Sequence, residues 1–218
     1  PGIDHVSFTG SFEVGGLVQA AAARNVVPVT LELGGKSPQL VFGDADLDRA
    51  LPFLVNAGIQ NAGQTCSASS RILVERSRHD ELVERMAARY GALRVGPAQA
   101  DLDLGPLISA RQREIVLGYI GQGVDLETAG RGEIVGNAPE GGHYVAPHLL
   151  TGATAGHRLA RDEIFGPVQV VIPFEDENEA AAIANGTGYG LVASVWSADG
   201  GRQMRLARRL RAGQVFLN

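Results

Sequence analysis

Blocks of apolar residues, separated by glycine, proline and short polar runs, divide the chain into predicted elements. Residues 4–8 are short and partly alternating, and predict a strand. Gly10 and Ser11 then turn the chain into a helix reaching about Asn25, with Val14, Leu17, Val18 and Ala21 on one face. Residues 26–33 are β-rich and predict a second strand, closed by the turn Gly34-Gly35. Strand, helix, strand is a βαβ unit or the last part of one.

A new pattern begins near Lys36. Residues 38–42 predict a strand, and Asp44 or Asp46 caps a helix reaching about Ala62. Gly63-Gln64-Thr65-Cys66 interrupts that helix. Residues 71–75 predict a strand, and 78–93 a helix with apolar Leu82, Val83 and Met86. Residues 96–106 are a loop, 109–120 a helix, 125–129 a short strand, 130–142 a long glycine-rich loop, and 144–150 extended chain. A buried strand at 168–174 follows, then a helix at 178–185, a strand at 192–196, a helix at 201–212 and a last strand at 214–217. This alternation predicts an α/β fold with a mostly parallel sheet flanked by helices. No internal repeat interrupts it.

Composition narrows the picture. The chain has 218 residues, 44% hydrophobic and 20% charged, enough to bury a core without staples. A net charge of -5 argues against a nucleic-acid footprint, which needs a basic face. The arginines at 202, 205, 208, 209 and 211 are therefore expected on a solvated helix face. No window of the chain is apolar for long enough to span a membrane. The single cysteine, Cys66, allows no intrachain disulfide, and a cytoplasmic location is expected. The five histidines have no ligand spacing, so no metal is expected. The start at Pro1 and the apolar end at Val215-Phe216-Leu217-Asn218 suggest cuts inside a longer protein.

Four places carry candidate chemistry. Cys66 is either a buried small hydrophobe or a nucleophile, and its small polar neighbours, between a helix and a strand, favour a thiol open to a carbonyl carbon. Glu32 ends an apolar strand, where a carboxylate is an edge residue or a placed base. Gly34-Gly35 beside it leaves space for a substrate or cofactor to approach. Glu163 and Phe165, before Gly166-Pro167, are a turn with a solvated acid and a core ring, or a carboxylate for ribose hydroxyls and a wall for a flat ring. Gly10-Ser11 opens a helix after a strand, which suits a phosphate, although the string lacks the G-x-G-x-x-G fingerprint.

Together these stretches resemble the aldehyde dehydrogenase superfamily. Thr30-Leu31-Glu32-Leu33-Gly34-Gly35-Lys36-Ser37-Pro38 is similar to its glutamate motif. Asn61-Ala62-Gly63-Gln64-Thr65-Cys66 is similar to its cysteine motif, and Glu163-Ile164-Phe165-Gly166-Pro167 to its third motif. Phe8-Thr9-Gly10-Ser11 resembles its pyrophosphate turn.

The resemblance implies oxidation of an aldehyde to a carboxylic acid with NAD or NADP, in the hydrolytic branch of the family. Cys66 would attack the aldehyde, and hydride would leave for the nicotinamide, giving a thioester. Glu32 would activate the water that hydrolyses it. The Cys66 N–H would form half of the oxyanion hole. Gly10 and Ser11 would face the pyrophosphate, Glu163 the nicotinamide-side ribose, and Phe165, Leu33 and Gly34 the nicotinamide. It also implies residues 1–34 as the end of a Rossmann-like cofactor domain and 35–218 as most of the catalytic domain. The whole protein would be a homodimer or homotetramer acting on a small aldehyde.

The segments that supply the second oxyanion donor and the adenosine grip precede Pro1 in that family, so this chain alone is expected to be inactive or nearly so. Two positions depart from the pattern. Phe12 puts bulk near the phosphate turn, and Ile59 replaces a commoner aromatic or Leu beside the substrate channel. A cysteine hydrolase using His157 or His143 is the competing enzyme reading, and an inherited fold without catalysis the non-enzymatic one.

Overall fold

The computed structural model describes residues 2–218, leaving only Pro1 outside the described residues. Besides one short two-stranded pairing, two unequal sheets carry the chain. The smaller is strand β1 (Val6–Thr9) paired in parallel with β2 (Val29–Glu32), joined by helix α1 (Phe12–Ala23). Ser11 caps α1 by accepting from the Val14 N–H at 3.3 Å.

The larger sheet starts with β3 (Pro38–Val41), every residue of which is buried. Of the two candidates Asp44 and Asp46, Asp46 caps α2 (Leu47–Ile59), accepting from the N–H groups of Asp48 and Arg49. The helix then stops short of the expected Ala62. A tight turn takes over at Gln60–Gly63, where Asn61, Ala62 and Gly63 all have positive φ. Strand β4 (Arg71–Glu75) follows, then α3 (His79–Ala92), which buries Leu82, Met86 and Tyr90, spaced four apart on one face. Strand β5 (Arg94–Val95), helix α4 (Ala110–Gln122), β6 (Glu127–Arg131) and β7 (Glu133–Ile134) lead to β8 (His148–Thr151). A single turn, α5 (Arg158–Arg161), precedes β9 (Val168–Phe174). Helix α6 (Glu177–Ala184), β10 (Val192–Trp196), α7 (Gly200–Arg209) and β11 (Gln214–Leu217) complete the chain.

Seven strands form the larger sheet in the order β11-β10-β3-β4-β9-β8-β6. All its pairs are parallel except β6 with β8. This is the α/β class predicted. Strands β4 and β9 lie at its centre, with Ile72, Leu73, Val74, Val170 and Val171 sealed from solvent. Helices cover both faces, as a parallel sheet requires.

Two short elements escape the pattern. Strand β5 falls in the gap between the predicted helix and loop, and its partner β7 inside a stretch expected as loop; a two-residue strand has no periodicity to detect. The predicted apolar face of α1 is real but uncovered: Val14 and Leu17 are exposed, and only Gly15 and Ala22 are buried. The arginine-rich helix α7 is tied up in ion pairs. Arg202 pairs with Asp44, and Arg205 and Arg209 with Glu177. That leaves little of the basic face for a polyanion.

Candidate active site

One cleft of about 650 Å³ opens between the two sheets. On one side it is lined by Thr9, Gly10 and Ser11, where β1 gives way to α1, and by Leu33 and Gly34, just past β2. These are the carboxyl ends of two parallel strands, the usual place for a ligand in an α/β unit. The other side comes from segments leading into the larger sheet: Asn61, Gln64, Thr65 and Cys66 ahead of β4, and Glu163 and Phe165 ahead of β9. Gln112 of α4 completes the wall.

Seven of the eight residues singled out in the sequence therefore share one cavity: Gly10, Ser11, Leu33, Gly34, Cys66, Glu163 and Phe165. The eighth, Glu32, does not line it. Its side chain is exposed at the end of β2, next to the lining residue Leu33, and its carbonyl accepts from the Gly10 N–H at 3.0 Å.

Cys66 is half-buried and lies in a turn closed by the Ala68 N–H donating to the Thr65 carbonyl at 2.9 Å. The Cys66 N–H has no hydrogen-bond partner among the described residues, so it is free to meet an oxygen in the cleft. The left-handed run before it is held by side chains. Asn61 donates to the Gln64 carbonyl at 3.0 Å, and Gln64 donates to the Asn61 carbonyl at 3.1 Å. The Gln64 Oε1 accepts from the Ile108 N–H at 2.9 Å.

Three distant stretches interlock here through glycine. A Cβ on Gly34 would collide with the Glu163 carboxylate, and one on Gly35 with the Cys66 carbonyl oxygen. A Cβ on Gly63 would strike the Gly166–Pro167 peptide, and Gly63 also has φ +74°. The space beside Gly34-Gly35 is thus partly filled by the protein itself. The sequence suggests room for a substrate or cofactor there; Gly34 does line the cleft, and the contacts between motifs add a second demand for glycine.

Glu163 accepts from the Gly35 N–H at 3.0 Å. Burial raises its carboxyl above the ordinary value, against the pull of that N–H and of Lys36. Lys36 is fully buried, and its Nζ has no protein partner among the described residues. Burial, with Arg71 nearby, lowers its ammonium to about 7, although Asp162 and Glu163 favour the charge. For both groups desolvation outweighs their mutual attraction.

Phe165 has φ 54°, a conformation uncommon for an aromatic residue. Gln112 holds it there, donating to the Phe165 carbonyl at 2.9 Å and the Ile164 carbonyl at 3.2 Å. Sequence reading missed Gln112, Gln64 and the burial of Lys36. Lys36 had a signal, as the only lysine beside 18 arginines (19 minus 1).

Both departures fall outside the cleft. Phe12 is exposed on the first turn of α1, and Ile59 packs in the core. The neighbouring groove is lined by Asn56 and Gln60 instead, with Phe53, Trp196 and Phe216. His157 caps α5, accepting from the Leu159 N–H at 3.1 Å, and no histidine lines the cleft, which removes support from a Cys–His hydrolase.

Fold and cleft define the class: an α/β protein with a thiol seated where two sheets meet. The chain belongs to the aldehyde dehydrogenase family, whose sequence model matches residues 1–218. Betaine aldehyde dehydrogenase 1 of Rhizobium meliloti is 41% identical over 223 aligned positions, covering 100% of this chain and 45% of that protein. A crystal structure from Burkholderia cenocepacia, assigned as an aldehyde dehydrogenase, superposes with a TM-score of 0.98 at 59% identity, over 100% of this chain and 46% of that one. Aldehyde dehydrogenase C of Pseudomonas syringae, solved as a mutant with NAD+ and octanal, gives a TM-score of 0.93 at 40% identity, over 99% of this chain and 45% of that one. The chain thus spans less than half the length of the relatives it matches.

Proposed function

We propose that this chain supplies the nucleophile and the nicotinamide-side wall of an enzyme that oxidises a small aldehyde to a carboxylic acid with NAD or NADP. The observation that carries the reading is the shared cleft: thiol, helix N-terminus, half-buried carboxylate and exposed ring all open onto one space. The residues fit a dinucleotide. Gly10 and Ser11 offer the start of α1 to phosphate oxygens, Glu163 offers a carboxylate to ribose hydroxyls, and Phe165, Leu33 and Gly34 wall the position of a flat ring. The NAD+ in the Pseudomonas syringae structure supports the same choice.

In this reading the Cys66 sulfur attacks the aldehyde carbon, and its free N–H stabilises the resulting oxyanion. When bound, NAD(P)+ supplies the acceptor for the electron pair whose removal leaves a thioester. Glu32 then takes a proton from water as the water oxygen adds to that thioester, and the sulfur leaves with the acid released. Exposed at the end of β2, Glu32 must swing inward past Leu33 to do so. The chain divides near Gly34 into the end of a cofactor domain and a catalytic domain. The whole protein is cytoplasmic and a homodimer or homotetramer, which light scattering measures.

The test is a chimera that joins the flanking segments of the Burkholderia cenocepacia protein to this chain, assayed by NADH absorbance. The chimera turns over, and the chain alone does not. Cys66→Ser abolishes turnover. Glu32→Gln lowers it about 10²–10⁴-fold and leaves a burst of one equivalent of NADH. Glu163→Gln raises KM for the dinucleotide. Full activity in the Cys66→Ser chimera sinks the reading.

A further inference from the structure

Gln169 is the second residue of β9 and has no exposed surface, an amide inside a run of apolar side chains. Every polar hydrogen of that amide has a use. Its Nε2 donates to the Ser69 carbonyl at 2.6 Å and to the Leu54 carbonyl at 2.9 Å, and its Oε1 accepts from the Tyr90 hydroxyl at 2.6 Å. Ser69 stands three residues beyond Cys66, and its own N–H donates to the Ala57 carbonyl at 2.9 Å. The amide thus joins the central strand, the helix before the cysteine and the loop after it.

The near end of the same loop rests on the same stretch. Gly63 packs against the Gly166–Pro167 peptide, just ahead of β9. Glu163 and Phe165 lead into that peptide. The loop bearing the thiol is therefore fixed at both ends to the segment that bears the carboxylate and the ring. Helix α2 has adapted to the amide as well: Gly58 is buried in it, and a Cβ there would collide with the Gln169 side chain.

We propose that Gln169 is a positioning residue for Cys66, holding the far end of its loop so that the sulfur faces the cleft. The proposal rests on the reading of Cys66 as the reacting thiol. Without those two donors the Ser69 carbonyl is left buried and unpaired, and the loop must move to find a partner. A small displacement of an attacking atom costs up to about 10²-fold in rate.

The test uses the chain's single thiol, so every alkylation event reports on Cys66. The rate of iodoacetamide alkylation is measured well below Tm near neutral pH, with Tm recorded alongside. Gln169→Met keeps the volume and removes the donors; its alkylation slows about tenfold, the scale expected for a misplaced attacking group. Tyr90→Phe removes only the hydroxyl behind the amide; its Tm falls, and its rate stays within about twofold, as a purely structural loss would leave it. If Gln169→Met does not fold, Gly58→Ala carries the test, because its methyl displaces the same amide, and the same slowing is expected. Rates in Gln169→Met and Gly58→Ala that stay within about twofold of the unaltered chain, or rise, overturn the positioning role and leave Cys66 as nucleophile. A thiol silent toward iodoacetamide in the folded, unaltered chain overturns both.

Discussion

The βαβ unit of β1, α1 and β2 and the body built on the larger sheet use the same alternation of strand and helix, yet they differ in what they bury. Strand β3 is buried at every residue, whereas β1 and β2 alternate between half-buried and exposed. Helix α2 buries seven of its 13 residues, and α1 buries two of its 12. The body therefore owns its core, and the unit leaves much of its apolar surface uncovered. The difference teaches where chemistry can sit. Groups that must be held still belong to the body, and the thiol and its carboxylate neighbour Glu163 are there. The unit contributes the other wall of the cleft.

The largest effect that could break this comparison is a matched pair of truncations. Leu40→Ala, at a side chain with 0% exposure, lowers unfolding free energy in urea by about 2–5 kcal/mol. Leu17→Ala, at 70% exposure, changes it by no more than about 0.5 kcal/mol. Equal losses would mean that the unit has a core of its own.

Next in size is a change at the seam. Gly35→Ala forces the backbone of the unit's exit away from the Cys66 carbonyl and destabilises by about 1–3 kcal/mol, seen as a lower Tm. The alkylation rate of Cys66 changes with it. A tolerated alanine would mean that the two regions are not in close register.

The smallest effect is read in pH. Lys36 has its ammonium lowered to about 7 in the fold, against 10.5 in the open chain. Between those values the unfolded chain holds a proton that the native state has released. Stability therefore rises with pH across that window, and Lys36 adds no slope below it or above it. From the lower edge of the window upward, Lys36→Met removes less than about 1.4 kcal/mol of that rise for the first pH unit. A stability curve with the same slope in Lys36→Met and in the unaltered chain would place the ammonium in water.

Much of the body was legible because its strands are long and apolar. Strands β4, β9, β10 and β11 fall where the apolar runs place them, and Asp46 caps α2 as its position before the helix suggests. The cleft was legible through motifs, since Cys66, Glu163 and Phe165 each sit in an unusual local string. What escaped has no local signature. A glutamine on a helix face, such as Gln112, looks solvated until a strained carbonyl is found above it. Gln169 did carry a clue, being an amide within the run Val168–Phe174, where an unpaired polar group would be costly. The exposure of Val14 and Leu17 could not be read, because periodicity gives a face and not what covers it.

Gly34, Gly35 and Gly63 have a practical consequence for anyone moving this thiol elsewhere. The loop around Cys66 is shaped by two remote parts of the chain: Gly35 is trimmed to hydrogen where it meets the Cys66 carbonyl, and Gly63 in the loop itself is trimmed where it meets the Gly166–Pro167 peptide. Transplanting the loop by itself into a new scaffold would carry the sulfur and lose its mould. A graft would have to bring residues 34–35 and 163–167 along with it, which makes the three short strings one inherited part rather than three.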